Sequence, residues 1–136
     1  MSTRRHLLAT LVLSALFLAT GNALASPPVV EIVAMTHPPV LAALKPLRAW
    51  LATQGGKLRV VDLDAESPAG MKRLRSVGQT GHVPILILID GQSGFERKDG
   101  SQGRFLNFPA VASSPPGIRG NWIMEDVQAT LTARMK

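Results

Sequence analysis

Cysteine is absent from all 136 residues. That absence excludes several kinds of chemistry at once. No disulfide can form, so stability has to come from packing alone. Thiol nucleophiles and thiolate metal sites are ruled out, and no cysteine is available to carry a lipid anchor. Long apolar runs are scarce as well. The stretch from Leu7 to Ala19 is too short to span a membrane comfortably. Internal repeats and low-complexity tracts are lacking. Aromatic residues make up 4% of the chain, so the core has to be mainly aliphatic.

What the N-terminus does contain is a secretory pattern. Arg4 and Arg5 give a basic start, Leu7 to Ala19 an apolar centre, and Ala23-Leu24-Ala25 a small-x-small cleavage site. "TRRHLL" is faintly like a twin-arginine signal, but the apolar centre suits the general secretory route better. The sequence therefore predicts a signal peptide over 1–25, cleavage between Ala25 and Ser26, and one domain over 26–136, periplasmic or secreted. An uncleaved anchor is the alternative; on the main reading the mature form does not span a membrane. Removing Arg4 and Arg5 from the 15 Lys and Arg leaves 13 against 9 Asp and Glu, a net charge of +4. Secretion argues against nucleic acid as the partner. A basic surface suits anionic headgroups or an acidic protein patch, or is simply solvated.

Along the chain, "VVEIVAM" (29–35) reads as a strand buried on both faces. Pro38-Pro39 stops it. Apolar residues at 40, 41, 44, 47 and 51 make one face of a helix reaching Gln54, with Pro46 expected to kink it. "KLRVVDLD" (57–64) is the second strand, so the first three elements form a βαβ unit. Ser67 caps a second helix with Pro68 at its first position. Met71, Leu74 and Val77 form its buried stripe, while Lys72, Arg73 and Arg75 lie on a solvated face. Ile85 to Ile89 is a third, strongly apolar strand, and Asp90-Gly91 begins a turn. Phe95 to Phe108 is a polar hairpin region. Asn121 is expected to cap a last helix with Met124, Val127, Leu131 and Met135 on one face. Trp50 and Trp122 read as core residues on helices.

Three segments in this order carry a resemblance to the thioredoxin-like superfamily. They are "VVEIVAMTHPPVLAALKPL", with its helix proline at Pro46, "RVVDLDAES", and "GHVPILILIDG". The resemblance covers nearly the whole mature chain. It implies an α/β fold, a thioredoxin-like three-layer α/β/α sandwich with a central mixed sheet. It also implies a cis Val83–Pro84 bond. The family's Cys-x-x-Cys maps to Pro38 and Leu41 when counted from Pro46, or to Thr36 and Pro39 when aligned on the loop. Its buried acid maps to Ile32 or Val30. All of these positions lack the required group. Disulfide exchange needs an attacking thiolate, so no thiol-disulfide activity and no enzyme of that kind is expected, and no cofactor is called for.

The candidate site is what the resemblance leaves behind. Thr36, His37 and Pro38 would form one wall of a groove, and Val83 and Pro84 the other, with Val83 offering backbone to an extended peptide. The bland alternative is that Val83-Pro84 only sets a turn before a strand. His37 and His82, with Met35 near by, offer a weaker soft-metal site, suited to copper, though Met35 at a strand end reads as core. His37 as an acid or base has no acidic neighbour in sequence. The expected function is a redox-inactive module that binds another envelope protein or peptide. A metal carrier and a structural subunit of an envelope complex are the alternatives.

Overall fold

The computed structural model describes residues 26–135. The expected signal peptide over 1–25, which ends at Ala25, lies outside the described residues. Among these residues no helix is long and apolar enough to cross a membrane.

The chain is mixed α/β. Strand β1 (Val29–Ala34) is the centre of a three-stranded sheet. Strand β2 (Arg59–Asp64) lies parallel to it, from Val29↔Arg59 to Ala34↔Asp64. Strand β3 (Ile85–Ile89) lies antiparallel on its other side, from Val30↔Ile89 to Ala34↔Ile85. All five residues of β3 are buried, as an unbroken aliphatic run demands. Phe105 to Asn107 extends the sheet beyond β3. Ile87 N–H donates to Phe105 C=O at 2.9 Å and Asn107 N–H to Ile85 C=O at 2.8 Å. A small hairpin, β4 (Gly94–Glu96) and β5 (Gln102–Arg104), folds separately. Its Phe95 stacks on Phe105, which meets Trp122 edge to face.

Helix α1 (Pro38–Ala52) starts two residues earlier than the apolar pattern indicates. Pro38 and Pro39 end the strand and then occupy the first helical turn, where no backbone donor is needed. The helix is continuous through Pro46. Val40, Leu44, Leu47 and Leu51 are buried, but Leu41 is 44% exposed. Helix α2 (Pro68–Ser76) is capped as expected, Ser67 Oγ accepting from Gly70 N–H at 3.0 Å. Its buried residues are Gly70 and Leu74, while Met71 faces solvent. Glycine is required at position 70 because a Cβ would fall 1.9 Å from Asp64 C=O. That close approach rotates the helix away from the predicted stripe. Val77 packs against the core only in part.

The expected solvated face of α2 also needs correction. Arg73 donates from Nε and Nη2 to the two oxygens of Glu31, at 2.8 and 2.6 Å. On the other side, Arg48 of α1 forks onto Asp62 at 3.1 and 2.8 Å. Glu31 is in register with Val61, and side chains alternate along a strand. The Glu31 and Asp62 side chains therefore leave opposite faces, and α1 and α2 cover opposite sides of the sheet.

Helix α3 (Met124–Arg134) buries Val127 and Leu131. Asn121 does not cap it. Ile123 holds the capping position, and Asp126 Oδ2 accepts from Ile123 N–H at 2.9 Å. The Asn121 side chain accepts from Arg104 N–H at 3.0 Å instead, tying α3 to the hairpin. Trp122 is core, 1% exposed, but precedes the helix; Trp50 is half-buried on α1.

Candidate functional site

Parallel pairing brings the exits of β1 and β2 to one end of the sheet, and antiparallel pairing brings the entry of β3 there too. Thr36, His37 and Pro38 follow β1 and are exposed, while Val83 and Pro84 precede β3 and are buried. Met35 N–H donates to Pro84 C=O at 2.9 Å, which fastens the two segments together. The predicted wall residues thus do come to one place. The Val83–Pro84 bond is trans, not cis, since no cis peptide occurs among the described residues. In the trans form Pro84 continues the β1–β3 ladder one step past Ala34↔Ile85, and no special turn is needed. Met35 is 5% exposed and belongs to the core.

Val83, main chain included, is 6% exposed. Its backbone pairing is what sets it apart. Along β3, Ile85 and Ile87 direct their backbone groups away from β1, toward Phe105 to Asn107. Val83 is in phase with them. Among the described residues neither its N–H nor its C=O has a partner. The cause lies in the neighbouring segment. Leu86↔Leu106 sets an antiparallel register that would put Pro109 opposite Val83. Asn107 has φ +66° and turns the chain aside. Phe108 then donates to Ile118 C=O at 3.0 Å and pairs with Arg119 rather than with β3. Asn107 C=O is taken by Trp122 Nε1 at 3.1 Å. The result is a stretch of unpaired backbone at the entry of β3.

His37 has an acidic partner that sequence distance concealed. Its Nε2 lies 2.5 Å from Glu66 Oε1, both side chains being half-exposed. Glu66 sits in the β2–α2 turn, where its own N–H donates to Asp64 Oδ1 at 2.9 Å. The pair is one consequence of parallel β1 and β2. It ties two loops together and holds the imidazole at the mouth of the site. His82 is exposed in the loop before Val83. Among the described residues no three His, Cys, Asp or Glu side chains converge as a metal site would require.

Two concavities flank these elements. A cleft of about 440 Å³ runs between α1 and the loop after Phe108, with Pro39, Ala43 and Pro46 on one side and Pro109, Val111 and Met124 on the other. Pro39 and Pro109 place it next to the candidate site, and sequence reading did not find it. Its signal was Pro39, Ala43 and Pro46, which share a helix face apart from the predicted stripe. A wider trough of about 1030 Å³ lies between the hairpin and α3. Its principal charges are engaged, Arg97 with Asp126 at 2.9 and 2.8 Å and Arg134 with Asp90 at 3.0 Å. It reads as a structural junction. No family model matches the chain, and neither a curated protein nor a solved structure matches it.

Proposed function

We propose that this chain is a redox-inactive, thioredoxin-like protein of the cell envelope that binds a protein or peptide partner. The observation that carries the reading is the unpaired backbone of Val83, whose N–H and C=O face away from β1, with the exposed Thr36, His37 and Pro38 at the same end of the sheet. An extended segment laid there would gain main-chain hydrogen bonds, and its side chains would reach the apolar cleft beyond Pro109. A mixed sheet with helices on opposite sides supports the sandwich architecture. The trans Val83–Pro84 bond departs from the family's loop, so support rests on the sheet and not on the proline. With no cysteine, partner binding by this site involves no disulfide exchange.

The test is partner recovery from envelope extract by crosslinking, using variants matched for thermal stability. Thr36→Trp should obstruct the mouth and lose the partner. His37→Ala should weaken binding by about 1 kcal/mol if the imidazole makes a contact. Lys72→Ala, on the outer surface of α2, should do little. Loss of the partner with Lys72→Ala and its retention with Thr36→Trp would transfer the interface to the basic helix.

A further inference from the structure

The cleft between α1 and the loop after Phe108 has a built interior. On α1, Pro39, Ala42, Ala43 and Pro46 follow one another at spacings that place them on one helix face. The two alanines leave a notch between the two proline rings. Leu47, Phe108 and Trp122 are buried and line the cleft from the core side. Its volume of about 440 Å³ lies within the roughly 300–1,000 Å³ that small-molecule sites occupy.

Two polar groups on opposite walls are left open by the fold. Pro46 lies inside α1 and has no N–H, so the C=O of Ala42, one turn earlier, lacks its helical donor. Ala42 and Pro46 both line the cleft, which puts that carbonyl on its α1 wall. Ser114 lines the other wall. It is 5% exposed, and its C=O accepts from Arg119 Nη2 at 2.7 Å. Its hydroxyl makes no hydrogen bond to the protein among the described residues. No fully enclosed side-chain polar atom there lacks a partner, so the hydroxyl is the part of Ser114 that meets the cleft.

These groups define the ligand. The Ala42 C=O only accepts, and the Ser114 hydroxyl donates or accepts. Pro39, Pro46, Pro109 and Pro115 bring no N–H to the walls at all. What the cleft lacks is a donor. Glu125 is the single charged residue of the lining. It repels anions, and in the first turn of α3 its charge is answered by the positive end of that helix, not by a bound cation. We propose that this cleft binds a small uncharged molecule, an apolar body of one or two rings bearing an N–H or O–H that donates to the Ala42 C=O. The site is complete without the backbone of Val83, so it does not rest on the partner-binding reading.

The probes are indole and N-methylindole, which share one ring system and differ in the donor. Amide NMR spectra of the labelled protein follow each titration, read at the main-chain amides of Ala43, Val111 and Met124. Indole should bind with a Kd of about 0.1–1 mM. N-methylindole should bind at least about threefold more weakly, although it is the more apolar of the two. Pro46→Ala supplies an N–H to the Ala42 C=O from within the helix. It should raise the thermal midpoint and weaken indole at least about threefold, while leaving N-methylindole unchanged. A cleft that is merely hydrophobic would not split the probes in that way. Ala43→Phe fills the notch and should abolish binding of both; if that variant fails to fold, the Pro46→Ala comparison decides. Thr36→Trp, at the partner site, should leave both affinities unchanged. No shifts at the cleft with indole, equal affinity for the two probes, or unchanged indole affinity in Pro46→Ala overturns the proposal. Loss of indole binding in Thr36→Trp would make the cleft an extension of the peptide groove and overturns it as a separate site.

Discussion

Replacing Arg73 by methionine tests the most consequential ion pair of the sheet. Glu31 lies on β1, the central strand, with Val61 of β2 on one side and Leu88 of β3 on the other. Its side chain is 16% exposed and that of Arg73 30%. The pair makes two charge-assisted bonds, and the Arg73 guanidinium is held above its ordinary value, first by the hydrogen bond to Glu31. Methionine keeps the length of the stem and the helix propensity, so the change mainly removes the fork. Breaking a fully buried pair costs about 3–5 kcal/mol, and an exposed one about 0–1. Partial exposure puts Arg73→Met between, at about 2–3 kcal/mol. Urea unfolding followed by tryptophan fluorescence and by circular dichroism measures it, with an unchanged m-value as the control. The double variant Glu31→Leu/Arg73→Met should recover most of the loss, because removing both charges leaves nothing buried unpaired. A cost for Arg73→Met below about 0.5 kcal/mol would mean that water screens Glu31 fully. The assignment of α2 as a cover for that side of the sheet would then fail.

Gly70→Ala should destabilise by about 1–3 kcal/mol or more, since its methyl would meet the main chain of Asp64 and Ala65, not a movable side chain; thermal melts read this directly. Asp90 has its carboxyl held below the usual carboxylate range, first by the Val29 N–H and also by Arg134. Such a group contributes stability above its unfolded value, lost as pH falls through the lower folded value. Asp90→Asn tolerates the φ of +48°, so the stability gap between the two proteins should close as pH falls below the ordinary carboxylate range and through the lower folded value. The pure protein should not reduce insulin disulfides with or without a reductase system, and measurable turnover would refute the absence of thiol chemistry.

How far the sequence could be read depended on the range of the interaction. Strands β1 and β3 were legible because runs almost wholly of β-branched and aliphatic residues leave few alternatives. The Ser67-Pro68 start of α2 was legible because cap and first-turn chemistry is local. Leu41 and Met71 were assigned to the core from helical phase alone, and both face solvent. Phase is set by what a helix packs on, and Gly70 against Asp64 is a contact that the pattern cannot contain. Arg73 looked solvated because its partner lies 42 positions away. Asn121 had the right chemistry for a cap but a better use, the N–H of Arg104.

The candidate site divides in the same way. Its position was legible, because the exits of parallel strands and the entry of an antiparallel neighbour must share one end of the sheet. Its chemistry was not. Val83 matters through its main chain, and that main chain is free only because Asn107 and Pro109 turn the next segment away from β3. Those two residues lie more than twenty positions downstream and carry no motif. The same reasoning explains how the proposed binding would proceed without thiols. Main-chain recognition depends on the sheet ending where it does, and a sheet edge is defined by strand register and by the turn beside it. Neither depends on what occupies Thr36 to Leu41. The absence of sulfur there excludes thiol chemistry and has no bearing on the hydrogen-bonding frame. On the proposed reading, replacements that let the segment at Asn107 and Pro109 close over β3 should abolish binding while sparing the core, as bulk at Thr36 should.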